Sequence, residues 1–229
     1  MKRSHLLAAL IAPMLISAAH ADEGKHLFIL SGQSNMAGLD PKASFIPAVE
    51  KEFGADKVIV VKDAKGGQPI RRWYKDWKPA EGRAVAGSTT YGDLYNRLMA
   101  KVNNATKDQK LATVTFVWMQ GERDAVELHG EVYAASFAGL IKQLEADLKR
   151  DDVNFVIGRL GSGQLGGKRY PHWDMVRKAQ VKVAEDSDKG EWIDTDDCAL
   201  KGDKLHYTKD GYKLMGQRFA EKAIGLIKK

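Results

Sequence analysis

The sequence has few of the residues that cross-link a chain through disulfides or metal ions. It contains a single cysteine, Cys198, so no disulfide can form within the 229 residues. That thiol also lies beside an acidic run, residues 194–197, which disfavours the thiolate that a cysteine nucleophile needs. Closely spaced histidine or cysteine pairs are absent as well, so we expect neither a metal site nor a cofactor. Cys198 is therefore predicted to be structural.

Long apolar runs and a strong charge are missing too. After residue 16 no stretch approaches the roughly 20 apolar residues that a membrane-spanning helix needs. The formal net charge of +6 is small for 66 charged side chains spread along the chain, which argues against nucleic-acid binding. A hydrophobic content of 44% is ordinary for a globular domain with a full core.

The first 21 residues have the pattern of a secretory leader. Lys2 and Arg3 precede an apolar segment of about 11 residues, and Ala19-His20-Ala21 matches a small-x-small cleavage site. Such a segment is too short to cross a bilayer, although a retained N-terminal anchor is the alternative. We expect residues 1–21 to be removed, leaving one domain, residues 22–229, exported to the periplasm or medium of a bacterium.

The remaining chain alternates strand and helix patterns. Near-continuous apolar runs suit a parallel sheet covered on both faces. Five strands are predicted at His26–Leu30, Lys57–Val61, Leu111–Met119, Val153–Leu160 and Glu191–Thr195. Helical spacing predicts four helices at Asp93–Asn103, Glu131–Arg150, His172–Asp186 and Lys209–Ile227. The order predicts a single three-layer α/β/α domain with a doubly wound, flavodoxin-like, five-stranded parallel sheet.

Several chemically interesting residues follow strand ends. Ser34 lies in a Gly-x-Ser turn after the first strand, Gly66-Gly67 follows the second, and Gln120-Gly121-Glu122 follows the third. Ligands of such sheets bind at the carboxyl ends of the strands. We therefore expect these segments to converge on one rim, where a raised serine hydroxyl can meet a substrate carbonyl.

A serine needs a base to take its proton, usually a histidine that a carboxylate orients. The candidate pair is Asp203 and His206, three residues apart, just before the last predicted helix. Alone, this spacing is more typical of surface or capping residues than of a catalytic pair. Together with Ser34 it favours a Ser-His-Asp triad.

A tetrahedral intermediate also needs hydrogen-bond donors for its oxyanion. Three candidates are the backbone N–H groups of Ser34 and Gly67 and the side-chain amide of Gln120. The glycine could equally be a plain turn residue, and the glutamine a structural one.

Other side chains around these segments have two interpretations each. Glu122 and Asp124 either brace the site's loops or pair with nearby arginines for structure. Arg72 and Trp73, in a long predicted loop from Ala64 to Tyr91, could form a shelf on which a sugar stacks. Packing of that loop onto the domain is the equal alternative for both.

Four blocks together resemble the SGNH hydrolase superfamily, and specifically its sialate O-acetylesterase and acetylxylan-esterase-like carbohydrate esterases. The blocks are Gly32-Gln33-Ser34-Asn35-Met36, Gly66-Gly67-Gln68-Pro69-Ile70, Trp118-Met119-Gln120-Gly121-Glu122-Arg123-Asp124 and Asp203-x-x-His206. The resemblance implies a nucleophile at Ser34, a base at His206, its orienter at Asp203 and an oxyanion hole from Ser34, Gly67 and Gln120. One departure is that Gln120-Gly121-Glu122 stands where many members have a Gly-x-Asn-Asp block.

The sequence thus predicts a metal-independent serine esterase that removes O-acetyl groups from carbohydrates. A silent carbohydrate-binding domain on the same scaffold, or an esterase for non-sugar esters, remains the alternative. The sugar, whether from xylan, sialic acid or another acetylated glycan, stays open, as does the oligomeric state. We expect the choice of sugar to depend on the shapes of the loops around residues 39–56, 65–91 and 161–171.

Overall fold

The computed structural model describes residues 24–85 and 90–229. The predicted leader, residues 1–21, lies outside this part. Within the described residues, the chain forms one sheet with helices on both faces, so the predicted α/β fold is confirmed. No helix in the described part of the chain is long and apolar enough to cross a membrane.

The sheet has five parallel strands in the order β2-β1-β3-β4-β5. Its central strands are apolar on both faces, as expected where helices cover both sides. The order reverses at β1, which lies between β2 and β3. The strands are β1 Lys25–Gly32, β2 Val58–Ala64, β3 Leu111–Met119, β4 Asn154–Gly158 and β5 Gly190–Ile193.

Seven α-helices of the described residues surround the sheet: α1 Ser34–Gly38, α2 Phe45–Phe53, α3 Asp93–Thr106, α4 Glu122–Val126, α5 Tyr133–Leu148, α6 Trp173–Glu185 and α7 Lys209–Ile227. Helices α2 and α7 pack against each other on one face, and α5 and α6 pack together on the other, where α3 covers β2. The core lies between these layers and the sheet. The four long predicted helices are present with ends shifted by up to three residues.

Helix α2 overturns one expectation. Residues 39–56 were predicted to be a loop that shapes selectivity, yet Phe45–Phe53 is helical and packs on α7. Proline is tolerated in a first helical turn, so Pro47 does not prevent this helix. Phe45 is fully buried, with its ring edge-on to Phe28 at 5.5 Å between centroids. This segment therefore contributes to the core.

The strand register brings three carboxyl ends side by side. Gly32 of β1 pairs with Ala64 of β2 and with Met119 of β3. Gly32 has φ +139, and a Cβ there would lie 2.0 Å from the Met119 carbonyl oxygen, so only glycine fits. The chain turns sharply at this point, and the loops after β1, β2 and β3 meet where the strand order reverses.

Candidate active site

Ser34 is the first residue of α1, directly after the turn that ends β1. Its neighbour across the rim is the Gly66-Gly67 turn, where a Cβ on Gly66 would lie 3.5 Å from the Ser34 Cβ. Gly67 has φ +68, a left-handed conformation that favours glycine. The glycine turn therefore passes close to the serine.

His206 approaches Ser34 from a turn that a single aspartate organises. The Asp203 Oδ1 atom accepts hydrogen bonds from the backbone N–H groups of Leu205, at 3.0 Å, and His206, at 2.9 Å. This is an Asx-type turn, with Lys204 in the left-handed region at φ 53. The same carboxylate thus shapes the turn and stands beside the imidazole.

The three side chains form a continuous hydrogen-bonded chain. The Asp203 Oδ2 atom is 2.7 Å from His206 Nδ1, and His206 Nε2 is 3.0 Å from Ser34 Oγ. Hydrogen bonds from the His206 backbone, the His206 ring and Leu205 hold the pKa of Asp203 well below its usual range. An ionised carboxylate only accepts, so His206 Nδ1–H donates to it and Nε2 accepts from the serine hydroxyl.

These groups open into a cavity of about 430 Å³. That volume is within the roughly 300–1,000 Å³ typical of small-molecule sites. Its lining includes Ser34, His206, both glycines of the turn, Glu122 and Arg123. Val126, Arg169 and Tyr170, which the sequence did not single out, also line it.

Asn35 is a further residue that the sequence reasoning left without a role, although it stands in the Gly-Gln-Ser-Asn-Met block. Its Nδ2 atom donates to Glu122 Oε1 at 2.8 Å and to the Leu205 carbonyl at 3.1 Å. Its Oδ1 atom accepts from the Tyr212 hydroxyl at 2.9 Å. One buried amide therefore ties the serine helix to α4, to the histidine turn and to α7.

Glu122 lines this cavity, Asp124 lies two residues further along α4, and both are buried. The Asp124 Oδ2 atom accepts from the Ile70 backbone N–H at 2.9 Å, so α4 holds the segment that follows the glycine turn. No ion pair links either carboxylate to an arginine of the described residues; Arg71 and Arg123 pair with Glu127 instead. Their contacts match the bracing interpretation.

Burial sets the protonation of both acids. It raises the pKa of Glu122, whose Oε2 atom has no hydrogen-bond partner among the described residues. Desolvation also raises the pKa of Asp124 to about 7, against the opposing hydrogen bonds from Gln120 and Ile70. Asp124 therefore carries less negative charge near neutrality than an exposed carboxylate does.

Gln120 contradicts its predicted role as an oxyanion donor. It is fully buried, and its Nε2 atom lies within hydrogen-bond distance of Asp124 Oδ2 at 2.5 Å, the Gln68 carbonyl at 3.1 Å and Gln33 Oε1 at 3.3 Å. Its two N–H bonds are thus engaged beneath the site, and the residue does not line the cavity. The backbone N–H groups of Ser34 and Gly67 remain the candidate donors.

The predicted sugar shelf is also contradicted. Trp73 is fully buried and packs edge-on against Trp118, 5.2 Å between ring centroids. Arg72 makes a two-pronged ion pair with Asp93 and donates to Gln68. Both side chains hold the long loop on the domain, which was the alternative interpretation.

Cys198 is buried, as a structural cysteine should be. Desolvation raises the pKa of its thiol to about 11, so it is protonated at neutral pH. It lies outside the cavity around Ser34.

The arrangement of these side chains is the one that an ester hydrolase with a serine nucleophile needs. A hydroxyl hydrogen-bonded to a carboxylate-supported imidazole, at the mouth of a cavity, is suited to attack an ester carbonyl.

Comparison with known proteins gives the family. The model of a family described as "Carbohydrate esterase, sialic acid-specific acetylesterase" matches residues 38–225. The chain belongs to this carbohydrate esterase family, and the resemblance stated from the sequence blocks is confirmed. The matched range begins four residues after Ser34.

Individual proteins agree with this assignment. The chain is 27% identical over 205 residues to a probable carbohydrate esterase of Arabidopsis thaliana, covering 88% of this chain and 68% of the relative. An Arabidopsis thaliana protein structure superimposes with a TM-score of 0.67 at 22% identity, covering 88% and 98% of the two chains. A carbohydrate acetylesterase from Xanthomonas citri gives 0.66 at 18% identity, covering 90% of this chain and 56% of the other. At these identities, the structural matches speak for the fold.

Replacing Asp124 by asparagine tests the buried carboxylate. Because its folded-state pKa is raised to about 7 from roughly 3.9 in an unfolded chain, the native state binds more protons between these values. This group therefore contributes less stability as pH rises through that window. We expect the free energy of unfolding of Asp124→Asn, measured in urea, to increase relative to that of the wild type as the pH rises from 5 to 8.

Asp152→Asn is the control. Because the hydrogen bond from Arg150 lowers the pKa of Asp152, this carboxyl group stays ionised throughout the tested pH range. Unfolding free energies of Asp124→Asn and the wild type that change in parallel from pH 5 to pH 8 would contradict the raised pKa.

Proposed function

We propose that this enzyme is a serine esterase that removes O-acetyl groups from carbohydrates through Ser34, His206 and Asp203. The observation that carries the proposal is the hydrogen-bonded chain from Asp203 through His206 to Ser34 at a cavity, in a member of a carbohydrate esterase family. The Arabidopsis and Xanthomonas relatives, a probable carbohydrate esterase and a carbohydrate acetylesterase, support the same substrate class.

Acylation begins with the Ser34 hydroxyl. Its oxygen attacks the acetyl carbonyl carbon while His206 Nε2 takes its proton, and Asp203 stabilises the imidazolium that forms. The oxyanion of the tetrahedral intermediate accepts hydrogen bonds from the backbone N–H groups of Ser34 and Gly67. Collapse breaks the bond to the sugar oxygen, which takes the proton from His206 and leaves as an alcohol.

Deacylation repeats these steps with water. His206 Nε2 removes a proton from a water molecule as its oxygen attacks the acetyl carbon on Ser34. The second intermediate breaks the bond to the serine oxygen, and the imidazolium returns the proton to it. Acetate leaves, and the enzyme returns to its starting protonation state.

Buried polar groups below the cavity act as positioning residues in this proposal. Asn35 couples the serine helix to the Leu205 carbonyl, one residue before the base. Asp124 accepts a hydrogen bond from the Ile70 backbone N–H, and Gln120 donates to the Gln68 carbonyl. Both therefore hold the residues that follow the Gly66-Gly67 turn. These buried side chains thus position both the oxyanion donors and the base, His206.

The Ser34→Ala variant tests the proposal. Because the serine supplies the nucleophilic oxygen, we expect its loss to reduce acetate release from acetylated sugars by at least about 10³-fold. The circular dichroism spectrum should stay that of the wild type. A fluorophosphonate probe should label the wild type and leave Ser34→Ala unlabelled.

The exposed Ser162 lies outside the cavity, so Ser162→Ala is a matched control that should retain activity and labelling. Acetate release that survives in Ser34→Ala would remove Ser34 from the mechanism. A wild type that neither reacts with the probe nor releases acetate would instead be a binding domain.

Export is part of the proposal because residues 1–21 have the pattern of a cleaved leader. We expect the protein recovered from the periplasm or medium of a bacterial host to begin at Asp22. Intact-mass measurement checks this, and a recovered chain that still carries Met1 to Ala21 would contradict it.

A further inference from the structure

The cavity around Ser34 carries an excess of positive side chains. Two arginines, Arg123 and Arg169, line it, and Glu122 is its one acidic lining residue among those described. Burial raises the pKa of Glu122. The electrostatic character of this wall favours an anionic ligand over a cationic one.

The two arginines differ in their partners. The Nε atom of Arg123 donates to Glu127 Oε1 at 2.7 Å, so its guanidinium is partly engaged by a carboxylate that Arg71 also pairs with. Arg169 is exposed, and no carboxylate of residues 24–85 or 90–229 forms an ion pair with it. Its guanidinium carbon lies 5.5 Å from the centre of the Tyr170 ring. This leaves a free planar fork of N–H donors at the cavity.

The aromatic platform under Arg169 is held firmly. The Tyr170 ring is buried and packs edge-on against Trp173, 5.0 Å between centroids. The Trp173 indole N–H donates to the Gly161 carbonyl at 2.8 Å, which closes the segment 161–173 at both ends. Arg169 therefore lies against a well-packed part of the cavity wall.

The same segment is tied to the turn that carries the proposed base. The Nε2 atom of Gln164 lies 3.2 Å from the Asp203 carbonyl oxygen and 3.1 Å from that of Lys204. Gly163 packs so closely that a Cβ there would lie 2.5 Å from the Lys204 oxygen. A group bound by Arg169 is thus held relative to His206 and Ser34.

We propose that Arg169 binds a carboxylate of the sugar, so that the enzyme prefers O-acetyl esters of acidic sugars to those of neutral ones. The inference rests on the proposed function and adds the residue that selects the substrate. A guanidinium pairs with a carboxylate through two parallel hydrogen bonds, a contact that a neutral sugar cannot make. Sialic acid, the sugar in the family's description, carries such a carboxylate.

The test compares one O-acetylated sugar acid in two forms, the free carboxylate and its primary carboxamide. The readout is the ratio of the two kcat/KM values for acetate release. We expect the wild type to favour the carboxylate by about tenfold or more, the size of one charge-assisted hydrogen bond. In Arg169→Ala the ratio should fall to about one, and Arg169→Lys should lie between.

Lys168→Ala is the matched control, because it removes the neighbouring positive charge from a side chain that does not line the cavity. Its ratio should stay that of the wild type. The wild-type preference should also shrink as sodium chloride is added, since the arginine is exposed to solvent.

Three results would overturn the proposal: equal use of both forms by the wild type, an unchanged ratio in Arg169→Ala, or an equal loss in Lys168→Ala. A small neutral ester, p-nitrophenyl acetate, separates this failure from that of the proposed function. If Ser34→Ala still hydrolyses that ester at the wild-type rate, the esterase mechanism fails. If only the ratio test fails, the mechanism stands and Arg169 does not select the substrate.

Discussion

The hydrogen bond between the Ser34 hydroxyl and the His206 imidazole joins residues 172 positions apart, and the rest of the site is arranged to keep it at 3.0 Å. On one side, β1 must end at Gly32, where only a glycine can turn so close to the Met119 carbonyl. On the other, the Asp203 carboxylate folds the turn that presents the imidazole. Each side is built locally, and the sheet brings the two together.

Buried polar side chains hold these two sides in register. Such groups are costly to bury unless they are hydrogen-bonded, so each hydrogen bond among them disfavours alternative arrangements. The Asn35 side chain of α1 makes three hydrogen bonds, which join it to α4, the histidine turn and α7. Gln33 Oε1 accepts from the Arg123 backbone N–H, which fixes α4 to the serine turn. Hydrogen-bonded polar side chains therefore support the cavity from below.

The sheet and its long helices could be predicted because apolar periodicity is a local property of the sequence. The Ser34, Asp203 and His206 set was predictable for a similar reason: each lies in a short block with its own turn chemistry. Helix α2 was missed because Pro47 and the mixed polarity of its segment are equally typical of a loop.

What could not be predicted was the direction and burial of single side chains. Trp73 in a loop has the same pattern whether it faces a sugar or the core, and its burial against Trp118 follows from tertiary packing. Gln120 follows the end of β3, where an oxyanion donor is expected, yet its side-chain amide donates to Asp124, four residues further along the chain. Arg169 carries no local signal, because its place at the cavity depends on contacts between distant segments.

The central claim, that an acetyl group passes through the Ser34 oxygen, is tested most directly by trapping the acyl-enzyme. The enzyme is mixed with excess of an activated acetyl ester, quenched in acid within the first turnover, digested and analysed by mass spectrometry. The account predicts one acetyl group on the peptide that contains Ser34, formed in a burst and absent from Ser34→Ala. Turnover at the wild-type rate with the acetyl group on another residue, or with Ser34 never modified, would contradict it.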